Sequence, residues 1–313
     1  MPPSLLFGTS TLGLLDREAD DPDDMICEVF ETPGFTGFDT SPHYGDAETT
    51  LGEILTRDDI RKTYPRSSYH IMAKGGRWGT PHVDWSVKHV KQGLRETLHN
   101  LQTEYVDTYL LQDVEYGSSS QWKNELPDTL EYLAILRRSG ILRRIGFTCH
   151  PLSTVRKLFD TIPSASLLVD TVFCYGHTTL INTLINTTTG IAASPSSLHT
   201  LYQGSNHIPS HVQLIDGAPY AMGLLQGRSN VIHSYAKPPP VVQRYGSDWS
   251  AFVQQWDQRL QARHKRTLAE VAMDYTFNCT PASKVVVGAQ SVREIAMIGR
   301  AWRAVELREW EHL

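Results

Sequence analysis

The chain has 313 residues, 34 acidic against 29 basic side chains, a formal charge of −5 and an isoelectric point near 6.2. Its Lys and Arg residues are interspersed with acids, which gives no basic field for a polyanion and argues against nucleic acid as a partner. Cys27, Cys149, Cys174 and Cys279 form no CxxC pair and have no His in a metal-ligand arrangement, and no apolar run reaches membrane-spanning length, so a cytoplasmic protein with reduced thiols, no metal and no membrane partner is expected.

Short apolar, β-rich runs alternate with helical patterns almost from end to end. The runs are Leu5 to Thr9, Thr36 to Thr40, His70 to Lys74, Val106 to Gln112, Leu142 to Thr148, Leu168 to Cys174, Val212 to Gly217 and Lys284 to Gly288. Between them, Thr49, Leu51, Ile54 and Leu55 share one helical face. Val87, Val90, Leu94, Leu98 and Leu101 share another, as do Leu130, Leu133 and Leu136, and then Leu268, Val271, Ala272 and Tyr275. Repeated βα units of this kind predict an α/β protein, a (β/α)₈ TIM barrel occupying residues 1–313 as a single domain; an open doubly wound sheet is the alternative. Tyr116 to Lys123, Thr187 to Ser210 and Ser229 to Trp249 read as irregular loops, either functional or plain surface insertions.

In a barrel, residues at the C-terminal ends of the strands converge on one mouth. Asp39 ends the second strand and Tyr44 follows in its loop; Lys74 ends the third strand, and Gln112 and Asp113 end the fourth. A tyrosine is a weak acid at neutral pH, but an ammonium beside it stabilises the phenolate, and a carboxylate beside that ammonium keeps it charged. Singly, each has an ordinary structural explanation. Together, Asp39, Lys74 and Tyr44 make a proton relay suited to a carbonyl oxygen receiving hydride at its carbon, or to the reverse on an alcohol. His43 either contacts substrate or faces solvent, and Trp78 and Tyr220 either line an apolar substrate pocket or simply pack. Neither a Walker phosphate loop, HExxH nor GxSxG is present.

The blocks GFDTSPHYGDAETTLGEIL, HIMAKGG, the run from Ser86 to Asp113, RRIGFTCHP, DGAPYAMGLL and VVVGAQSV resemble the ordered blocks of aldo-keto reductases over nearly the whole chain. DVEY after the fourth strand and APYAMGLL after the seventh resemble most the branch containing L-galactose and D-arabinose dehydrogenases. The resemblance implies Tyr44 as general acid or base tuned by Lys74 and Asp39, acting on a small-molecule carbonyl or alcohol. At the family's usual histidine this chain has Gln112, which can orient a carbonyl but cannot become cationic.

The resemblance also implies an extended nicotinamide cofactor, NAD(P)H, held without a Rossmann fingerprint. Thr148 and Cys149 fall where a polar pair meets the carboxamide, although Cys149 is equally readable as a small buried residue. Gly217, Ala218 and Leu224 fall beside the pyrophosphate, and Gly288, Ala289, Gln290 and Ser291 where backbone N–H groups face the ribose phosphate. Glu294 suits a free ribose hydroxyl and so NAD, whereas Arg293 next to it suits NADP; the choice stays open. Met297 and Ile298 stand where adenine-contacting polar groups are usual, and with a first strand beginning near Ser4 the family's N-terminal hairpin is not expected before it. These departures leave open a non-redox isomerase or dehydratase, or a dinucleotide-binding regulatory subunit, on the same fold.

Overall fold

The computed structural model describes residues 1–13, 19–77, 83–180, 208–226 and 249–310. Eight parallel strands close into a barrel in sequence order: β1 Ser4–Gly8, β2 Phe35–Asp39, β3 His70–Gly75, β4 Val106–Leu111, β5 Leu142–Thr148, β6 Thr171–Tyr175, β7 Gln213–Gly217 and β8 Lys284–Val287. Closure runs through β1 and β8, with Ser4 opposite Lys284 and Phe7 opposite Val287. The outer layer contains α1 Pro22–Glu31, α2 Ala47–Leu55, α3 Val87–Asn100, α4 Leu126–Arg138, α5 Leu152–Thr161, α6 Trp249–His264, α7 Leu268–Cys279 and α8 Val292–Trp310.

The period-2 alternation of each strand divides the buried side chains into two cores. Leu6, Met72, Leu110, Phe173, Ile215 and Val286 pack together inside the barrel. Their neighbours, such as Leu5, Phe7, Ile71, Ala73, Tyr109 and Val285, face outward into the larger core beneath the helices. Those helices are fixed by their apolar stripes and by local caps. In α1, Asp21 accepts from Asp23 N at 2.9 Å and Pro22 opens the first turn, while Met25, Ile26 and Val29 are buried. In α3, Ser86 caps the start and Val90 and Leu94 face inward. In α7, Thr267 and Glu270 form a reciprocal capping box.

Three expectations are corrected. The sixth strand begins at Thr171, because Ala165–Leu168 forms one helical turn with Leu167 exposed, and it runs on to Tyr175. The segment Tyr116 to Lys123 holds the short helix Ser119–Asn124, nucleated by a capping box between Ser118 and Gln121. In α7 the buried face passes through Leu268, Ala272, Met273, Thr276 and Phe277, leaving Val271 and Tyr275 half-buried.

Candidate active site

Two residues beyond the interior core, the inward positions reach the C-terminal mouth: Gly8, Lys74, Gln112, Tyr175, Gly217 and Gly288, with Asp39 from β2 and Thr148 from β5. Lys74 is sealed at 1% exposure and donates to Asp39 Oδ1 at 2.6 Å, to Thr40 O at 3.1 Å and to Tyr44 Oη at 3.2 Å. An ammonium has three N–H donors, and each has an acceptor here. Tyr44 therefore receives a hydrogen bond from Lys74, and its own hydroxyl proton points elsewhere.

The turn that delivers Tyr44 is built locally. Ser41 caps the 3₁₀ turn Pro42–Tyr44 by accepting from His43 N at 3.1 Å, and Gly45 leaves it at φ 61°, where a Cβ would lie 2.7 Å from Gly13 O. Burial works against the Lys74 charge, but Asp39 and Tyr44 outweigh it and hold the ammonium above the ordinary lysine range. Burial also lifts Tyr44 above the ordinary phenol range, with Lys74 pulling the other way. Lys74 thus favours the phenolate as expected, and burial adds an opposing effect that outweighs it. Burial raises Asp39 as well, opposed by Lys74; the 2.6 Å contact and the raised lysine favour the ionic form of the pair.

Gln112 is 4% exposed, its N–H donating to Gly75 O at 2.8 Å and its C=O accepting from Trp85 Nε1 at 3.3 Å. Its side-chain Oε1 accepts from Ser41 Oγ at 2.6 Å, which leaves the amide nitrogen as the outgoing donor. His43 is half-buried, and burial, followed by the charge of Arg77, holds it below the ordinary imidazole value, so it is neutral near pH 7. Its Nδ1 is sealed with no hydrogen-bond partner.

A polar array borders the mouth, joining Asp113 and Thr148 to Arg77, Glu115 and His150, which sequence reasoning passed over. Arg77 pairs with Asp113 and lies 5.1 Å from the Tyr116 ring. Asp113, at φ 53°, takes a bond from Thr148 Oγ1 at 3.0 Å while donating its own N–H to that oxygen at 2.7 Å. Glu115 accepts from His150 N at 3.0 Å, and the His150 ring stacks on Tyr175 and His177 at 5.1 Å each. Applying the strand-end rule to the true end of β6 would have found Tyr175.

The remaining expected residues divide. Gly217, Ala218 and Gly288 present backbone at the mouth, and a Cβ on Gly288 would meet nothing nearer than Gly8 O at 3.7 Å. With Gly8, they leave the β7, β8 and β1 side of the rim free of side chains, which fits an extended dinucleotide lying beside Lys74 and Tyr44. Cys149 is wholly buried, its Sγ 3.4 Å from Pro151 O and its thiol pushed well up by burial. Leu224 and Tyr220 sit in the core beneath the helices, and Trp78 lies outside the described residues. At the start of α8, Ala289 is buried and its carbonyl accepts from Thr11 Oγ1 at 2.8 Å. Ser291 Oγ accepts from Glu294 N at 3.2 Å. Of the donors expected to face a phosphate there, Gln290 N is engaged, donating to Glu294 Oε2 at 2.8 Å, and the neighbouring Val292 N donates to Asp20 Oδ2 at 2.9 Å. Arg293 is exposed, Met297 half-buried and Ile298 turned into the core.

A cleft of about 560 Å³ between α2 and α3 is lined by Thr49, Glu53, His99 and Gln102 and contains none of the strand-end groups.

The aldo/keto reductase family model matches residues 4–312. The chain is 29% identical to L-galactose dehydrogenase of Arabidopsis thaliana over 293 residues, covering 92% of this chain and 81% of that protein. It is 30% identical to D-arabinose 1-dehydrogenase of Saccharomyces cerevisiae over 141 residues, 44% of this chain and 39% of that protein. An aldo-keto reductase structure from Bacillus halodurans superposes with a TM-score of 0.61 at 18% identity, covering 96% of this chain and 86% of that one, and supports the fold alone. The chain belongs to the aldo/keto reductase family and is an NAD(P)-dependent oxidoreductase of carbonyl and alcohol compounds.

Proposed function

We propose that Tyr44 is the general acid of carbonyl reduction and the general base of alcohol oxidation, with Lys74 and Asp39 setting its proton affinity and Gln112 orienting the reacting oxygen. The observation that carries this is the Lys74 ammonium, bonded to both Asp39 and Tyr44 Oη with its third donor on Thr40 O. When bound, the nicotinamide supplies or takes up the hydride. As a carbonyl is reduced, the Tyr44 hydroxyl, directed away from Lys74, gives its proton to the new alkoxide, and Lys74 stabilises the phenolate left behind. In oxidation the same oxygen takes the alcohol proton. The Gln112 amide nitrogen, free because its carbonyl is held by Ser41, donates to the substrate oxygen.

The similarity to L-galactose dehydrogenase and D-arabinose 1-dehydrogenase supports a monosaccharide as substrate. The Arg77, Asp113, Glu115 and His150 array offers both donors and acceptors, which suits a polyhydroxylated molecule. Asp20 and Glu294 at the start of α8 support NAD over NADP, since a 2′-phosphate there would meet two carboxylates that already take the N–H groups of Gln290 and Val292. The same reading takes the chain as one barrel domain working in the cytoplasm. Four free cysteines support this, and no helix among the described residues is long and apolar enough to cross a membrane.

Tyr44→Phe tests the assignment. It should retain NADH binding, followed by nicotinamide fluorescence, and lose turnover of aldoses and of their alcohols by at least about a hundredfold. Turnover at the wild-type rate would remove Tyr44 from the chemistry.

A further inference from the structure

The opposite end of the barrel carries a second polar layer. Two residues before the interior core, the inward positions are Ser4, His70, Thr108, Thr171, Gln213 and Lys284, and Arg144 precedes the inward Gly146 by the same step. Their contacts run around and across this floor. Lys284 Nζ donates to Ser4 Oγ at 3.1 Å, His70 Nε2 meets Thr108 Oγ1 at 3.0 Å, and Arg144 Nη1 donates to Gln213 Oε1 at 2.8 Å. The last bond joins β5 to β7 over Thr171 of β6. Gln213 passes its own N–H to Ser283 Oγ at 2.6 Å.

Every one of these partners is neutral. Arg144 and Lys284 form no ion pair among the described residues, and Asp107, the acid near this end, is held by Arg66 at 2.8 Å and Arg143 at 2.9 Å. Thr171 Oγ1, wholly buried in the same ring, has no hydrogen-bond partner. A protein of net charge −5 therefore gathers at the barrel floor two cations with no ion-pair partner among the described residues, Lys284 half-buried and Arg144 exposed, and the nearby acid Asp107 is already shared by two arginines. Burial, and next the charge of Arg144, hold Lys284 below the ordinary lysine range. An arriving anion relieves that repulsion, and the spare donors of Arg144 and Lys284 complete charge-assisted bonds to it.

We propose that the barrel floor is a binding site for a small tetrahedral oxyanion, inorganic phosphate or the phosphate of a phosphomonoester, held by Arg144 and Lys284 and independent of the catalytic mouth. Neither the redox chemistry nor the dinucleotide uses these residues.

The test is calorimetric titration of the full chain with sodium phosphate, and separately with glycerol 3-phosphate, at constant ionic strength set with chloride. Binding should be saturable, and Lys284→Met and Arg144→Gln should each weaken it about tenfold or more. NADH affinity should be unchanged by saturating phosphate. Tighter binding of glycerol 3-phosphate than of phosphate identifies a phosphomonoester as the occupant, and equal binding identifies the free ion. As a readout that needs no variant, phosphate should protect Lys284 from acetylation relative to the other lysines, measured by peptide mass spectrometry. The proposal is overturned if no heat of binding is seen, if phosphate competes with NADH, if binding survives both substitutions, or if Lys284 is acetylated equally with and without phosphate.

Discussion

Glu48 lies in the first turn of α2 at 1% exposure, its carboxylate oxygens 3.1 and 3.3 Å from Thr97 Oγ1. Burial pushes its pKa from 4.5 to about 7, in spite of hydrogen bonds from Thr97 and Asn100 and the nearby charge of Lys74. Between those two values the folded protein holds a proton that the unfolded chain has released. The folded state binds more protons there, so stability falls as pH rises from about 4.5 to about 7 and levels off above. A difference of about 2.5 pH units, at about 1.4 kcal/mol each, makes the loss about 3 kcal/mol by pH 8. Glu48→Gln keeps the shape and the acceptor for Thr97 and cannot ionise. It should match the wild type near pH 4.5 and exceed it by about 2 to 3 kcal/mol at pH 8, read from urea denaturation at both pH values. A variant no more stable than wild type at pH 8 would refute the reasoning, because ionised Glu48 would then gain as much from Lys74 as burial takes away.

Gln112→His should raise carbonyl reduction and make it dependent on pH near the imidazole pKa; steady-state rates between pH 5 and 9 report this, and an unchanged profile would mean that the position does not face the reacting oxygen. NADH should bind more tightly than NADPH, and Asp20→Asn or Glu294→Gln should narrow the gap about fivefold by removing roughly 1 kcal/mol of repulsion; equal wild-type affinities in a fluorescence titration would contradict the role given to these acids. Gly288→Ala should leave the melting temperature unchanged, because the methyl meets no atom closer than 3.7 Å, and should weaken NADH binding by filling the bare rim. Unaltered NADH affinity in that variant would mean that the dinucleotide lies elsewhere.

What the sequence displayed and what it concealed follow from the range of the forces involved. Asp39, Lys74 and Gln112 were legible because each ends an apolar run, and a strand of known direction carries such an end to the mouth. The helix Ser119–Asn124 went unread: its Ser-x-x-Gln start is a capping signal, but the polar composition around it reads as loop. The run from Leu168 reads as strand, yet the helical turn Ala165–Leu168 takes its start, and setting the strand's end at Cys174, one residue short, hid Tyr175. Asp20 on Val292 and Arg77 on Asp113 join residues 272 and 36 positions apart, and no local pattern records such meetings. The pull of Lys74 on Tyr44 was legible and the opposing effect of burial was not. Proximity to Lys74 can be guessed from spacing, whereas the desolvation that outweighs it belongs to the assembled barrel.

The rim of the barrel is divided between bare backbone at Gly8, Gly217 and Gly288 and side chains supplied by β2 to β6. For anyone redesigning this protein, the two arcs are separate design variables. The glycine arc is limited in two ways: at Gly217 even a methyl would stand 2.4 Å from the Phe173 ring, whereas at Gly288 the fold has room for one and only a bound coenzyme would object. Under the proposed assignment, recombining the other arc, including Arg77, Glu115 and His150, would change what is oxidised or reduced while the same coenzyme continued to drive the reaction.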